Sequence, residues 1–273
     1  MYNTMIALNA LKDGKRFAVT VSYDDGMVFD RRLISIFNEY GIRGTFHLNS
    51  GHYPHADGVN SISAEQLPEV YKGHEVACHG VTHTSMFYLN QSGVMHEIWE
   101  DRKALESYMG YPVRGLSYAN GSYTKETLEA LRACGIVYSR TTKNTNGFAF
   151  PEEWLEWHPT CHQSVCLDAA ERFLKQMDGY WSGPKLLYVW GHSHEFERTM
   201  EWETIERFSK MISGNDRIWY ATNIEIYNYI TAQRQLVLSA DHTLVYNPTA
   251  TEVWFTSDGE TCSVKPGETW HKK

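Results

Sequence analysis

The chain has 273 residues, of which 42% are hydrophobic and 14% aromatic, and its 25 basic and 33 acidic side chains leave a net charge of −8. That length and apolar content suffice for one large α/β domain or two small ones, while the negative balance excludes a nucleic-acid backbone or an anionic membrane surface as the main partner, since both select basic faces. The stretch MYNTMIALNALKDGK has neither a cationic start nor a continuous apolar core, and no later run has the length of a bilayer span, so a cytoplasmic protein without an export signal is expected. Cys78, Cys134, Cys161, Cys166 and Cys262 are odd in number and lack CxxC spacing, which reads as reduced, mostly buried thiols.

Apolar, β-branched or aromatic runs at Phe17 to Tyr23, Thr45 to Leu48, Glu75 to Cys78, Leu116 to Tyr118, Ile136 to Tyr138, Leu186 to Trp190 and Ile218 to Ala221 predict short buried strands. Helical spacing fills most of the intervals. Leu33, Phe37 and Tyr40 share one face, as do Val94, Ile98, Leu105 and Met109, with Leu128 and Leu131 marking another helix; Gly41, Gly110 and Gly135 follow as C-terminal caps. Strands alternating with helices pair in parallel, and the absence of a long linker favours one distorted (β/α) barrel of about seven parallel strands over two domains. From Gln235 the pattern changes to short alternating stretches broken by turn signals, among them Asp258-Gly259, which suits a tight hairpin. The expected division is a barrel over residues 1–234 and a small antiparallel β appendage over 235–273, too small to stand alone and therefore packed on the barrel.

The polar residues then fall at one kind of position. Asp24 and Asp25 end the first predicted strand, His79 and His83 follow the third, Tyr118 to Asn120 follow the fourth, and Gly191 to Glu195 follow LLYVW. In a parallel barrel the carboxyl ends of the strands form one rim, so these groups converge. A DDG triplet is by itself only a turn signal. His79 and His83, four apart, suit a single metal on one helical face, and together with Asp25 they supply three ligands of suitable type. A second pair, His158 and His162 in WHPTCHQ, encloses a proline and is read as structural or substrate-facing.

Taken in order, SYDDG, HGVTH, SYANGSY and LYVWGHSHEF resemble the motifs of the polysaccharide deacetylase family, the NodB-homology metal-dependent carbohydrate esterases, over about residues 17–230. The resemblance implies Asp24 as general base and Asp25, His79 and His83 as ligands of a divalent metal, Zn²⁺ ahead of Co²⁺, Ni²⁺ or Mn²⁺. It implies His192 as general acid, preferred to His194 because it directly follows the strand. Two departures stand out: Ser117 occupies the place of the family's motif-three arginine, with Arg114 out of register, and no DxxDW segment precedes the last motif. The reaction implied is removal of N-acetyl groups from amino sugars or short oligosaccharides by metal-activated water, with Asn120 offering an oxyanion donor and Tyr118, Asn120, Tyr123, Trp190 and His194 facing substrate. Two other readings share these residues: hydrolysis of another C–N bond, such as a cyclic amide or ureide, and sugar binding without catalysis.

Overall fold

Apolar runs bounded by turn residues become strands, and the intervals with helical spacing become the helices that cover them. The computed structural model describes residues 5–179 and 183–272. In chain order its elements are β1 (Ile6–Ala7), β2 (Phe17–Asp24), α1 (Asp30–Glu39), β3 (Gly44–Leu48), α2 (Leu67–Val70), β4 (Glu75–Cys78), α3 (Gln91–Met109), β5 (Gly115–Ser117), α4 (Lys125–Ala133) and β6 (Tyr138–Arg140). There follow β7 (Cys161–His162), α5 (Cys166–Gln176), β8 (Lys185–Gly191), α6 (Ser193–Thr199), α7 (Trp202–Ile212), β9 (Ile218–Tyr220) and α8 (Asn223–Arg234). The tail adds β10 (Val237–Leu238), β11 (Leu244–Tyr246), β12 (Val253–Ser257), β13 (Glu260–Val264) and β14 (Thr269–His271).

The central sheet runs β6-β5-β4-β3-β2-β8-β7, with β9 also on β2, and its strand pairings are parallel. All of β2 is buried, as befits a central strand of a parallel sheet. The predicted caps hold: Gly110 ends α3 at φ 74°, and its N–H donates to the Glu106 carbonyl.

Residues 157–162 close the ring. Trp157 donates its N–H to the Ser139 carbonyl (2.9 Å) and accepts from the Thr141 N–H (3.0 Å), while Cys161 and His162 pair with Val189 and Trp190 of β8. The WHPTCHQ segment is thus the seam of the barrel. The strand expected at Ile136 to Tyr138 lies two residues later, because Ile136 caps the preceding helix through its N–H on the Leu131 carbonyl (3.0 Å) and Val137 donates to the Arg114 carbonyl (2.8 Å). The shift moves the carboxyl end of that strand from Tyr138 to Arg140.

The tail forms two antiparallel sheets, β1-β12-β13 and β10-β11-β14. Asp258 (φ 51°) and Gly259 (φ 87°) make the two-residue turn between β12 and β13, both in the left-handed conformation that a type I′ hairpin needs. The first sheet recruits Ile6 and Ala7, too short a run to register as a strand by alternation. Val245, Val253, Phe255 and Val264 share an apolar cluster with Leu11, Leu186, Trp219 and Tyr229 of the barrel's underside. Among the described residues no helix is long and apolar enough to cross a membrane, and the five cysteines are unpaired.

Candidate active site

The strands deliver the polar groups to one rim: Asp24 is the last residue of β2, Ser117 of β5, Arg140 of β6 and His162 of β7, while His79 and His192 immediately follow β4 and β8. Asp25, His79 and His83 offer ligand atoms that lie within 4.8 Å of one another. His79 Nε2 is 3.6 Å and His83 Nε2 3.7 Å from Asp25 Oδ1, too far for hydrogen bonds. His79 Nδ1 lies 2.9 Å from the Ser117 carbonyl, which can only accept, so the ring proton sits on Nδ1 and the Nε2 lone pair faces a carboxylate. Burial lowers the His79 pKa to about 4, keeping that ring neutral near pH 7. Two electron-rich atoms facing each other call for a cation between them, and this donor set of two imidazoles and a carboxylate suits zinc and its neighbours.

The backbone is built around this triad. Asp25 (φ 79°) and His83 (φ 57°) both lie in the left-handed region, the kind of local strain that collects at functional sites. Buried Asp101 accepts the N–H groups of Ser50, His79 and Gly80 at 2.8, 3.0 and 2.9 Å, and Asn49 Nδ2 donates to the carbonyls of His79 and Gly80. Gly80 is at φ 84°, and a Cβ there would come 3.1 Å from Glu97 Oε2.

Asp24 sits behind the triad in a different environment. Arg140 Nη2 donates to its Oδ2 at close contact, Ser117 Oγ donates to Oδ1 at 3.2 Å, and His47 Nδ1 lies 3.2 Å from Oδ1 but off the line of a hydrogen bond. Burial works to raise the Asp24 pKa, and the Arg140 guanidinium, ahead of His79 and His47, overrides it and holds the carboxyl well below its usual range. Arg140 is wholly buried, with Trp190 4.4 Å from the guanidinium carbon. The sequence reading missed it. The only signal was the tripeptide YSR at the end of an apolar run, in a strand placed two residues too early.

On the opposite side His192 Nδ1 lies 3.1 Å from Glu195 Oε1, and His162 Nε2 lies 3.2 Å from Glu195 Oε2. The imidazoles of His162 and His192 beside it hold the Glu195 carboxyl far below its usual range. Burial pulls the His192 pKa down, but the hydrogen bond to Glu195 together with the charges of Asp24, Asp25 and Glu195 outweighs it and the net shift is upward. His194 takes another course: its Nδ1 is buried without a hydrogen-bond partner, 3.9 Å from Asp25 Oδ2, and burial followed by the charge of His192 lowers its pKa.

The remaining sequence-derived residues separate by exposure. Trp190 is half-buried, its Nε1 donating to Asn144 Oδ1 (2.8 Å), and Tyr123 is half-buried with its hydroxyl on Glu156 Oε1 (2.8 Å). Tyr118 lies beneath Tyr123 in a stack of 4.4 Å, 1% exposed, its hydroxyl on the Leu155 carbonyl. Asn120 is exposed at φ 56° and donates to Ser85 Oγ. His158 Nδ1 meets Thr141 Oγ1 at 2.6 Å on the seam.

Residues 12–139 match the family model described as polysaccharide deacetylase, and no curated protein sequence matches the chain. Among solved structures, a proposed polysaccharide deacetylase from Mycobacterium smegmatis superposes with a TM-score of 0.60 at 17% identity, covering 84% of this chain and 96% of that one. A family 4 acetyl xylan esterase from Clostridium thermocellum, in complex with a cobalt ion, gives 0.53 at 14% identity over 77% and 90%. A wild-type family 4 pseudoenzyme from Bacillus anthracis gives 0.51 at 13% identity over 78% and 65%. Several longer neighbours are spanned over only 61% to 68% of their length. At these identities the likeness is one of fold, the distorted (β/α) barrel. Residues 12–139 thus resemble the polysaccharide deacetylase family, and they lie on the barrel that these structures share.

Proposed function

We propose that the chain is a metal-dependent hydrolase that removes N-acetyl groups from amino sugars or short oligosaccharides. The observation that carries this reading is the His79 Nε2 lone pair turned on the Asp25 carboxylate, with His83 at the same separation. Asp25, His79 and His83 would hold a divalent ion, Zn²⁺ first, which when bound polarises an acyl carbonyl and acidifies water. Asp24, fixed as the anion by Arg140 and Ser117, accepts the proton of the attacking water. The Asn120 backbone N–H is assigned to the oxyanion. His192, with Nδ1 on Glu195, presents Nε2 and delivers its proton to the departing amine. Trp190 and Tyr123 offer ring faces to the sugar. His194 lines the same opening and Tyr118 supports Tyr123 from below. In this reading residues 1–234 are the catalytic unit and residues 235–273 the appendage packed on it.

Acetate release from acetylated glucosamine oligomers, measured on metal-stripped and metal-restored protein beside a panel of cyclic amides and ureides, tests the reading. Release that depends on metal and is confined to the sugars supports it. Turnover of the cyclic amides alone, or no turnover of any compound by protein shown to bind metal, overturns it.

A further inference from the structure

The histidine at the end of β7 enters none of the steps above, although it faces them. His162 Nδ1 accepts the Ser164 backbone N–H at 3.3 Å, so in the neutral ring the proton sits on Nε2, which points at Glu195 Oε2. Gln163 Nε2 donates to the same oxygen at 2.8 Å and also to the His192 carbonyl at 3.1 Å. The closeness of that amide requires Gly191, since a Cβ there would lie 2.2 Å from Gln163 Oε1. Trp190 stands between the two imidazoles, its ring centre 4.9 Å from His162 and 5.9 Å from His192. Glu195 therefore takes hydrogen bonds from His192 Nδ1 and Gln163 Nε2 and has His162 Nε2 3.2 Å away, so two of its three partners come from the segment that closes the barrel.

We propose that His162 and Gln163 are positioning residues, which lock Glu195 so that it fixes His192 with Nδ1 protonated and Nε2 turned toward the substrate. The inference rests on the assignment of His192 as general acid. The same three groups, His162, His192 and Glu195, have the composition of a metal site and lie within 4.8 Å of one another. The proton argument favours the positioning role: a metal needs the Nε2 lone pair of His162, and in the ring whose Nδ1 accepts the Ser164 N–H that position carries hydrogen, the Ser164 hydroxyl at 3.0 Å then donating to Nδ1 as well.

Nitrogen-15 NMR of the histidine rings in the full-length metal-loaded protein, without substrate, reads the tautomer of His192 directly. In wild type Nδ1 is protonated; His162→Ala loses that preference and His162→Gln, which restores a donor at the Nε2 position, recovers it. In the acetate-release assay His162→Ala lowers kcat by about 10- to 100-fold with KM and metal content unchanged, and His162→Gln regains most of the loss. An unchanged His192 tautomer in His162→Ala, or the loss of a second equivalent of metal from that variant, overturns the proposal. Should His162→Ala fail to fold, Gln163→Leu replaces it in both measurements. Because the NMR arm needs no substrate, failure of the deacetylase reading leaves a tautomer shift intact, whereas failure of the clamp leaves acetate release intact and the tautomer unmoved.

Discussion

Two buried polar clusters occupy the barrel interior, and they differ in how completely they are bonded. Toward the amino ends of the strands, Glu75 receives Tyr138 Oη at 2.6 Å, Thr45 Oγ1 at 2.9 Å and the Ile224 N–H at 2.9 Å. Asn223 joins Thr20 (2.8 Å) to Tyr188 (2.6 Å), and Tyr188 continues to Ser22 (3.1 Å). Donor meets acceptor throughout, which ties the first turn of α8 to the sheet. At the carboxyl ends the accounting fails: both ring nitrogens of His47, Arg140 Nε and His194 Nδ1 are buried without a hydrogen-bond partner, and the Asp25 carboxylate has none among the described residues. Buried polar groups are nearly always paired, so a pocket of unpaired ones marks a place kept for something else. The closed network makes structure; the open one is arranged for a ligand.

The comparison breaks first at Asp25. Asp25→Asn should abolish metal binding and turnover together while the metal-free variant melts no lower than metal-free wild type, because that carboxylate supports no hydrogen bond; metal content and a thermal melt measure both. Asp24→Asn and His192→Ala should each keep their metal and lose about 10²- to 10⁴-fold in turnover, with His194→Ala losing much less. A slower His194→Ala than His192→Ala reverses the acid assignment, and a metal-free Asp24→Asn exchanges base and ligand. Glu75→Ala is the opposite case: it strands three donors at about 1–3 kcal/mol each, so its melting temperature should fall clearly while metal affinity and per-molecule activity stay at wild-type values. The finest distinction is in pH. As the proposed general acid His192 must be protonated to act, and Glu195 raises its pKa, so Glu195→Gln should move the alkaline limb of kcat to lower pH and leave the acidic limb in place.

What sequence made legible followed from locality. Asp24, Asp25, His79, His83 and His192 all lie within a few residues of a strand that its own apolar run announces, and barrel geometry does the rest. Glu195 was visible in GHSHEF as a rim residue, but its partnership with His192 depends on α6 starting directly after β8. Arg140, and the partnership of His162 with Glu195, were out of reach for a different reason, although His162 itself reads as structural or substrate-facing. β7 is two residues long and has no apolar run to mark it, and the strand of Arg140 was framed two residues early, at Ile136 to Tyr138. That guanidinium meets Asp24 across 116 positions of sequence, from the strand that neighbours the one ending at Ser117. The two-residue β1 escaped for the same reason as β7.

The seam has a mechanical meaning. Arg140 rides on one lip and His162 on the other, and the lips are joined near the rim by the two main-chain bonds of Trp157. They work as a clasp: when it is shut, the counter-charge behind the proposed base and the support behind the proposed acid are set by the same few bonds; when it springs, both should be lost together. Amide exchange at Trp157 and Thr141 thus reports, in two signals, how long the whole rim stays assembled.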